Sequence, residues 1–173
     1  MTHKVLVLFS GCLLFCAIQA SSQDKTTAVF NTEAFDILSV TYSSERIDPK
    51  SVIDKLPNRL KPANASQSKA IVLLLKLVNK TEGMIEIKTS DFALSYKADN
   101  KETSIPCVGL SFGELWSFAE KGEDSVMVNA KPSAEQKILF LIPNSIKEVT
   151  LLYNAKDGNP VTIKQMVIKG SNT

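Results

Sequence analysis

From Ala34 onward, apolar and polar residues fall mostly into short alternating runs, the spacing of half-buried strands. In Ala34 to Tyr42, Phe35 and Ile37 share one face, after which the apolar set moves to Leu38, Val40 and Tyr42. That change of phase predicts a bulge or twist within the strand. Asp48-Pro49 is a good N-cap and N1 pair, and Val52, Ile53 and Leu56 follow at helical spacing. A short helix is expected there, ending before Pro57. Lys61 to Ser68 reads as a loop. Ala70 to Val78 carries the strongest strand signal, nearly continuous Ile, Val and Leu, and its length suits a strand covered on both faces. Periodicity alone also fits a helix, but the polar turn Asn79-Lys80-Thr81-Glu82-Gly83 favours the strand.

Met84 to Lys88 and Phe92 to Tyr96 are two further strands, and Asp99-Asn100 marks a turn. Between Glu102 and Asp124 the pattern is ambiguous. Thr103 to Val108 suits a strand, whereas Phe112, Leu115, Trp116 and Ala119 sit at helical spacing. Val126 to Val128, Ile138 to Ile142, Val149 to Tyr153 and Val161 to Ile168 read as four more strands. Lys131-Pro132 and Asp157-Gly158-Asn159-Pro160 supply turns between them. The expected fold is all-β, an immunoglobulin-like antiparallel β-sandwich of about eight strands with one short helix. No internal repeat and no linker long enough to separate two domains interrupts it.

The beginning of the chain has a different character. Met1-Thr2-His3-Lys4 precedes an apolar run from Val5 to Ile18, which closes on Gln19-Ala20-Ser21-Ser22. A basic start, a short apolar stretch and a small residue at its end are the marks of a secretory signal peptide. The run is shorter than the ~20 residues a bilayer core needs. The division is therefore a signal peptide at 1–20, a flexible N-terminus at 21–33 and the sandwich domain at 34–173. Cleavage near Ala20 would leave an extracytoplasmic chain, periplasmic or secreted, with no membrane span. Cys12 lies within the apolar run rather than at its close, which disfavours it as a lipid-attachment site.

Composition narrows the chemistry. Lys+Arg 20 against Asp+Glu 18 gives a formal charge of +2, too small for a dedicated nucleic-acid binder. His3 is the single histidine and lies in the leader, which removes His-dependent triads and His-ligated metal sites from the exported chain. Cys107 is left as the one cysteine beyond the leader, so no internal disulfide is available, and a buried thiol is expected from its apolar neighbours. A chain of this size buries roughly 68–70% of its unfolded surface and needs no staples. Ser66-Gln67-Ser68-Lys69 has the Ser-x-x-Lys form of serine acyl-transferases, but neither Ser-Asp-Asn nor Lys-Thr-Gly accompanies it, and chance spacing is the better account. Glu114, Glu120, Glu123 and Asp124 gather acid in one segment, yet Lys121 interrupts them and no EF-hand spacing occurs. No catalytic residue, metal ligand or cofactor is assigned. Asn64-Ala65-Ser66 and Asn79-Lys80-Thr81 are read as turn chemistry rather than glycan acceptors.

The binding candidates are Phe112, Trp116 and Phe118, clustered around the single tryptophan. Such aromatics dominate recognition energy when exposed. They also plug an open edge or end of a sandwich, and that is the commoner use.

One pattern extends over Lys69 to Ile168. An apolar strand ending in Asn, Leu75-Lys76-Leu77-Val78-Asn79, is followed by a polar turn and by Ser90-Asp91-Phe92-Ala93-Leu94. Further on, Leu139-Phe140-Leu141-Ile142-Pro143 precedes Val149-Thr150-Leu151-Leu152-Tyr153. This arrangement resembles a family of bacterial extracytoplasmic domains of unknown function with a telokin-like, immunoglobulin-type fold. The glycine of the turn expected before the second block is missing from Lys131-Pro132-Ser133-Ala134, and Thr103 to Asp124 is individual to this chain. The resemblance implies a secreted or surface-attached sandwich with no chemistry attached.

The expected function is that of an exported, non-enzymatic immunoglobulin-like module that binds another macromolecule or organises the cell envelope. Its partner would be a protein or envelope component, with no nucleic acid. Two alternatives remain open at this point: a carboxylate-dependent hydrolase of envelope sugars and a small-ligand carrier. The first needs two carboxyls converging in a cleft, the second an enclosed apolar pocket.

Overall fold

Strand β3 (Ser68–Asn79) and strand β10 (Ala134–Pro143) form the centre of the molecule, paired antiparallel from Leu77↔Ala134 to Ser68↔Pro143. The structure is a computed structural model and describes residues 27–119, 124–129, 133–155 and 158–168. Residues 1–20, the segment expected to be a signal peptide, therefore lie outside the described residues.

In chain order the other elements are β1 (Phe30–Asn31), β2 (Phe35–Tyr42), α1 (Pro49–Ile53), β4 (Ile85–Lys88), β5 (Phe92–Ala98) and β6 (Lys101–Pro106). They continue with β7 (Gly109–Phe112), β8 (Leu115–Phe118), β9 (Ser125–Val128), β11 (Glu148–Asn154) and β12 (Pro160–Val167). One sheet has six strands in the order β1-β2-β3-β10-β7-β8, and the other has four in the order β12-β11-β5-β6. The pair β4-β9 forms a separate ribbon. All pairings among the described residues are antiparallel, and the class is the all-β antiparallel sandwich expected from the sequence.

Alternation along β3 explains how the two sheets meet. Leu73, Leu75 and Leu77 point inward and are fully buried. Phe140 on β10 and Leu94 and Leu151 on the facing sheet join them in one core. Val72, on the opposite face of β3, belongs to a second core with Leu139 and Leu141 of β10. There Val52, Ile53 and Leu56 of α1 and its exit turn cover the outer face of the six-stranded sheet. The long apolar run is thus covered on both faces, as its continuous hydrophobicity requires.

Local chemistry sets the boundaries. The Asp48 carboxylate accepts from the Lys50 and Ser51 N–H groups, capping a helix only five residues long. The phase change in β2 is a register shift between Ile37 and Ser39, which keeps Phe35, Ile37 and Val40 all buried. Asn79 closes β3. Its amide nitrogen donates to the Gly83 and Val128 carbonyls while its oxygen accepts from the Thr81 N–H and hydroxyl, so the amide is consumed in the turn. The Asp91 carboxylate accepts from the Lys88 N–H and delivers Phe92 into the core. There Phe92 meets Tyr153, which also packs against Phe30 and Phe35.

Two expectations need correction. Twelve strands are present among the described residues, against about eight expected, and the short β1, β7 and β8 fall outside every stretch read as a strand. The residues at helical spacing, Phe112, Leu115 and Trp116, belong to the β7–β8 hairpin instead. Its turn is Gly113-Glu114, and Gly113 has φ 61°, a left-handed conformation that a two-residue hairpin loop demands and a helix cannot use. The six-stranded sheet also takes in Phe30–Asn31, within the segment read as a flexible N-terminus.

Candidate functional site

The β7–β8 hairpin carries the aromatic candidates to the rim of the six-stranded sheet. Register places Trp116 opposite Ser111 and Phe118 opposite Gly109, so both rings lie on the outer face with the second core. They stack with centroids 6.4 Å apart, and the Lys55 ammonium sits 4.6 Å from the Phe118 ring centre. Gly109 makes room for this packing. A Cβ there would meet the Ser117 carbonyl at 3.2 Å and the Phe118 ring at 3.3 Å. The side chain of Phe112 lies outside the described residues.

Trp116 is half-buried, and its indole N–H donates to Glu45 at 2.7 Å. The other oxygen of Glu45 accepts from Lys137 Nζ, also at 2.7 Å. The Lys137 bond, then the Trp116 bond, holds the Glu45 carboxyl below the ordinary glutamate range. This triad pins the aromatic pair against the sheet. Beside it, Leu115 on the edge strand β8 is 72% exposed.

The remaining sequence candidates do not converge. Glu114 is exposed in the hairpin turn, and Asp124 bonds to the Ser117 hydroxyl and, through its N–H, to the Thr89 hydroxyl. Glu120 and Glu123 lie outside the described residues. Ser66 donates to Asn64, while Lys69 Nζ donates to the carbonyls of Asn144 and Ile146. Partial burial lowers the Lys69 pKa, but its ammonium is committed to the β10–β11 turn. Cys107 is buried, with its thiol pushed up to about 12 by desolvation.

A second feature was not singled out from the sequence. A crevice of about 360 Å³ opens where the two sheets part, between β6, the end of β10 and the loop from Arg59 to Ser68. Leu60, Pro62, Tyr96, Ile105, Val108 and Leu141 give it apolar walls. Among the described residues its charged lining is Arg59 and Lys61, with no carboxylate. A wider groove of about 630 Å³ lies at the β11–β12 end, but there Lys97 and Lys147 are offset by Glu102 and Glu148. The crevice is the better candidate because its described lining carries cations without carboxylates and its walls are apolar.

Among the described residues, both strands at the crevice have unpaired sides. β6 is an edge strand, and Pro106 at its end is a residue that edges tolerate. β10 pairs with β7 only at Ile138 and Leu139, so from Phe140 to Pro143 it is paired on the β3 side alone. The signals for this feature were apolar Leu60 and Pro62 inside a polar loop, and the charged, Pro-ended sequence of β6. Each is weak without knowing that the two come together.

No family model matches the chain, and no curated protein matches it. Among solved structures, one similar chain is a lipoprotein candidate from Bacillus subtilis, at 16% identity and a TM-score of 0.39, covering 80% of this chain and 36% of that one. Another is an uncharacterized beta-sandwich protein from Clostridium difficile, at 16% identity and a TM-score of 0.43, covering 77% of this chain and 86% of that one.

Proposed function

We propose that the protein is an extracytoplasmic, non-enzymatic recognition module that binds another macromolecule through the crevice beside β6. The observation that carries this reading is the meeting, in one place, of an unpaired strand edge, apolar walls and a net positive lining. Edges supply backbone hydrogen bonds and apolar recesses supply side-chain anchoring, which together suit a macromolecular partner. The basic start and short apolar run of residues 1–20, read as a secretory signal, support the location. The Trp116–Phe118 pair supports the site indirectly, by holding the hairpin that continues from β6 through Cys107 and Val108 against the sheet.

A small-ligand carrier is the second reading, favoured by a crevice volume within the range of small-molecule pockets. A photo-crosslinking residue at Ala63, in the crevice lining, separates the two when the exported protein is irradiated in its own envelope extract. The recognition reading expects a discrete macromolecular adduct from Ala63 and none from Thr41, an exposed position on β2 outside the crevice. Equal labelling from both positions, or only a small-molecule adduct at Ala63, would reject it.

A further inference from the structure

Resting on that crevice reading, we infer that its occupant is an extended, acidic peptide segment of a partner protein, added as a new strand along β6. Hydrogen-bond parity decides which backbone groups of β6 face outward. The Cys107 N–H donates to the Phe92 carbonyl at 3.3 Å, which makes Phe92 and Cys107 a hydrogen-bonded pair of the β5–β6 ladder. Such pairs alternate along an antiparallel ladder. Ser104, opposite Ser95, therefore falls in a non-hydrogen-bonded pair, and its N–H and C=O point away from β5. Glu102, opposite Lys97, has the same parity. The free side of β6 offers donors and acceptors at the spacing of one more strand.

The opposite wall has a matching parity. The Val108 N–H donates to the Leu139 carbonyl at 2.8 Å, so the peptide groups of Leu139 face the β7 side of β10. Leu141, two residues on, faces the same way, beyond the end of the β7 pairing. A strand added along β6 would direct alternate side chains among Leu60, Ile105 and Val108, towards the Leu141 end of β10.

Charge selects among extended segments. Among the described residues the crevice lining includes Arg59 and Lys61 and no carboxylate, Glu102 lying beyond it at the start of β6, so acidic side chains at the crevice end of the incoming strand are favoured and basic ones repelled. A neutral small molecule would use the apolar walls but neither the edge nor the cations.

The test selects random-sequence peptides on the full exported protein, then measures the binding of synthetic copies by fluorescence anisotropy. Selected sequences should be enriched in Asp and Glu and alternate with β-branched or aromatic residues, and their affinity should fall as NaCl is raised. The double variant Arg59→Glu, Lys61→Glu should weaken binding by about tenfold or more. Ser104→Pro should abolish it, since proline removes an N–H that the β5–β6 ladder does not use. Should that variant fold poorly, methylating alternate backbone nitrogens of the peptide tests the same bonds with the protein unaltered. Crevice-dependent binding of peptides with no acidic excess would overturn the charge assignment, and binding insensitive to Ser104→Pro and to backbone methylation would overturn strand addition. A macromolecular adduct at Ala63 with no peptide selected would overturn this inference while leaving the recognition reading standing. If both Ala63 crosslinking and peptide selection fail, both readings fall.

Discussion

Glu45 shows how one side chain, inconspicuous in the sequence, organises a surface. It receives the Trp116 indole N–H and the Lys137 ammonium on separate oxygens, and both bonds favour its ionised form. With its folded pKa below the ordinary value of 4.5, the folded state takes up this proton later than the unfolded chain does. Its stabilising contribution is complete above pH 4.5 and is lost as pH falls below that value. Because Trp116 is the single tryptophan, acidification below this range should change intrinsic fluorescence before global unfolding, and Glu45→Gln should remove that step. The associated stability change should stay under about 1 kcal/mol, since the Glu45–Lys137 pair is partly exposed. Cys107 is the opposite case, a group the environment silences. With its thiol pushed up to about 12, it should resist alkylation by iodoacetamide in the native protein at neutral pH and react fully in denaturant. Rapid labelling of the folded protein would contradict the burial of this thiol.

Elements were legible in the sequence where one local signal dominated. The α1 cap is written in Asp48-Pro49, and the β2 bulge in the shift of the apolar set after Ile37. Both follow from contacts within a few residues. The β7–β8 hairpin was not legible, because Phe112, Leu115, Trp116 and Ala119 fall at helical spacing, while only the short Trp116–Phe118 alternation speaks for a strand. Pairing with β10 and the positive φ of Gly113 decide for the hairpin. Gly113→Ala should therefore destabilise the protein by about 1 kcal/mol, the cost of a side chain at left-handed φ. Thermal or denaturant melting would detect it. Because no atom lies within 4 Å of a Cβ built there, the loss would report backbone strain rather than a clash.

At the scale of the molecule, β3 is the strand on which both cores depend. Leu75, fully buried between the sheets, should cost roughly 2–5 kcal/mol when truncated to Ala, the range for a core leucine. A denaturant titration measures this, and a change under about 0.5 kcal/mol, typical of surface positions, would contradict its central place. The candidate site belongs to this scale too. Arg59 and Lys61 reach the crevice from the loop after α1, Ser104 from the edge of the second sheet, and Leu141 from the far end of β10. No window of sequence contains them together. The aromatic candidates, by contrast, are neighbours in the chain. What folding added to them was the bond to Glu45 and the position of Phe118 over Gly109.

The sequence by itself determined the all-β class, the facing of Leu73, Leu75 and Leu77, the capped helix and the turn at Asn79. Each of these rests on side-chain alternation or on hydrogen bonds spanning a few residues, which local order carries. Strand neighbours, the second core under α1, and the unpaired sides of β6 and β10 were decided only by tertiary structure. Sheet edges have no local signature, because a strand's own residues do not record whether another strand lies beside it. That vacancy depends on where the rest of the chain has gone.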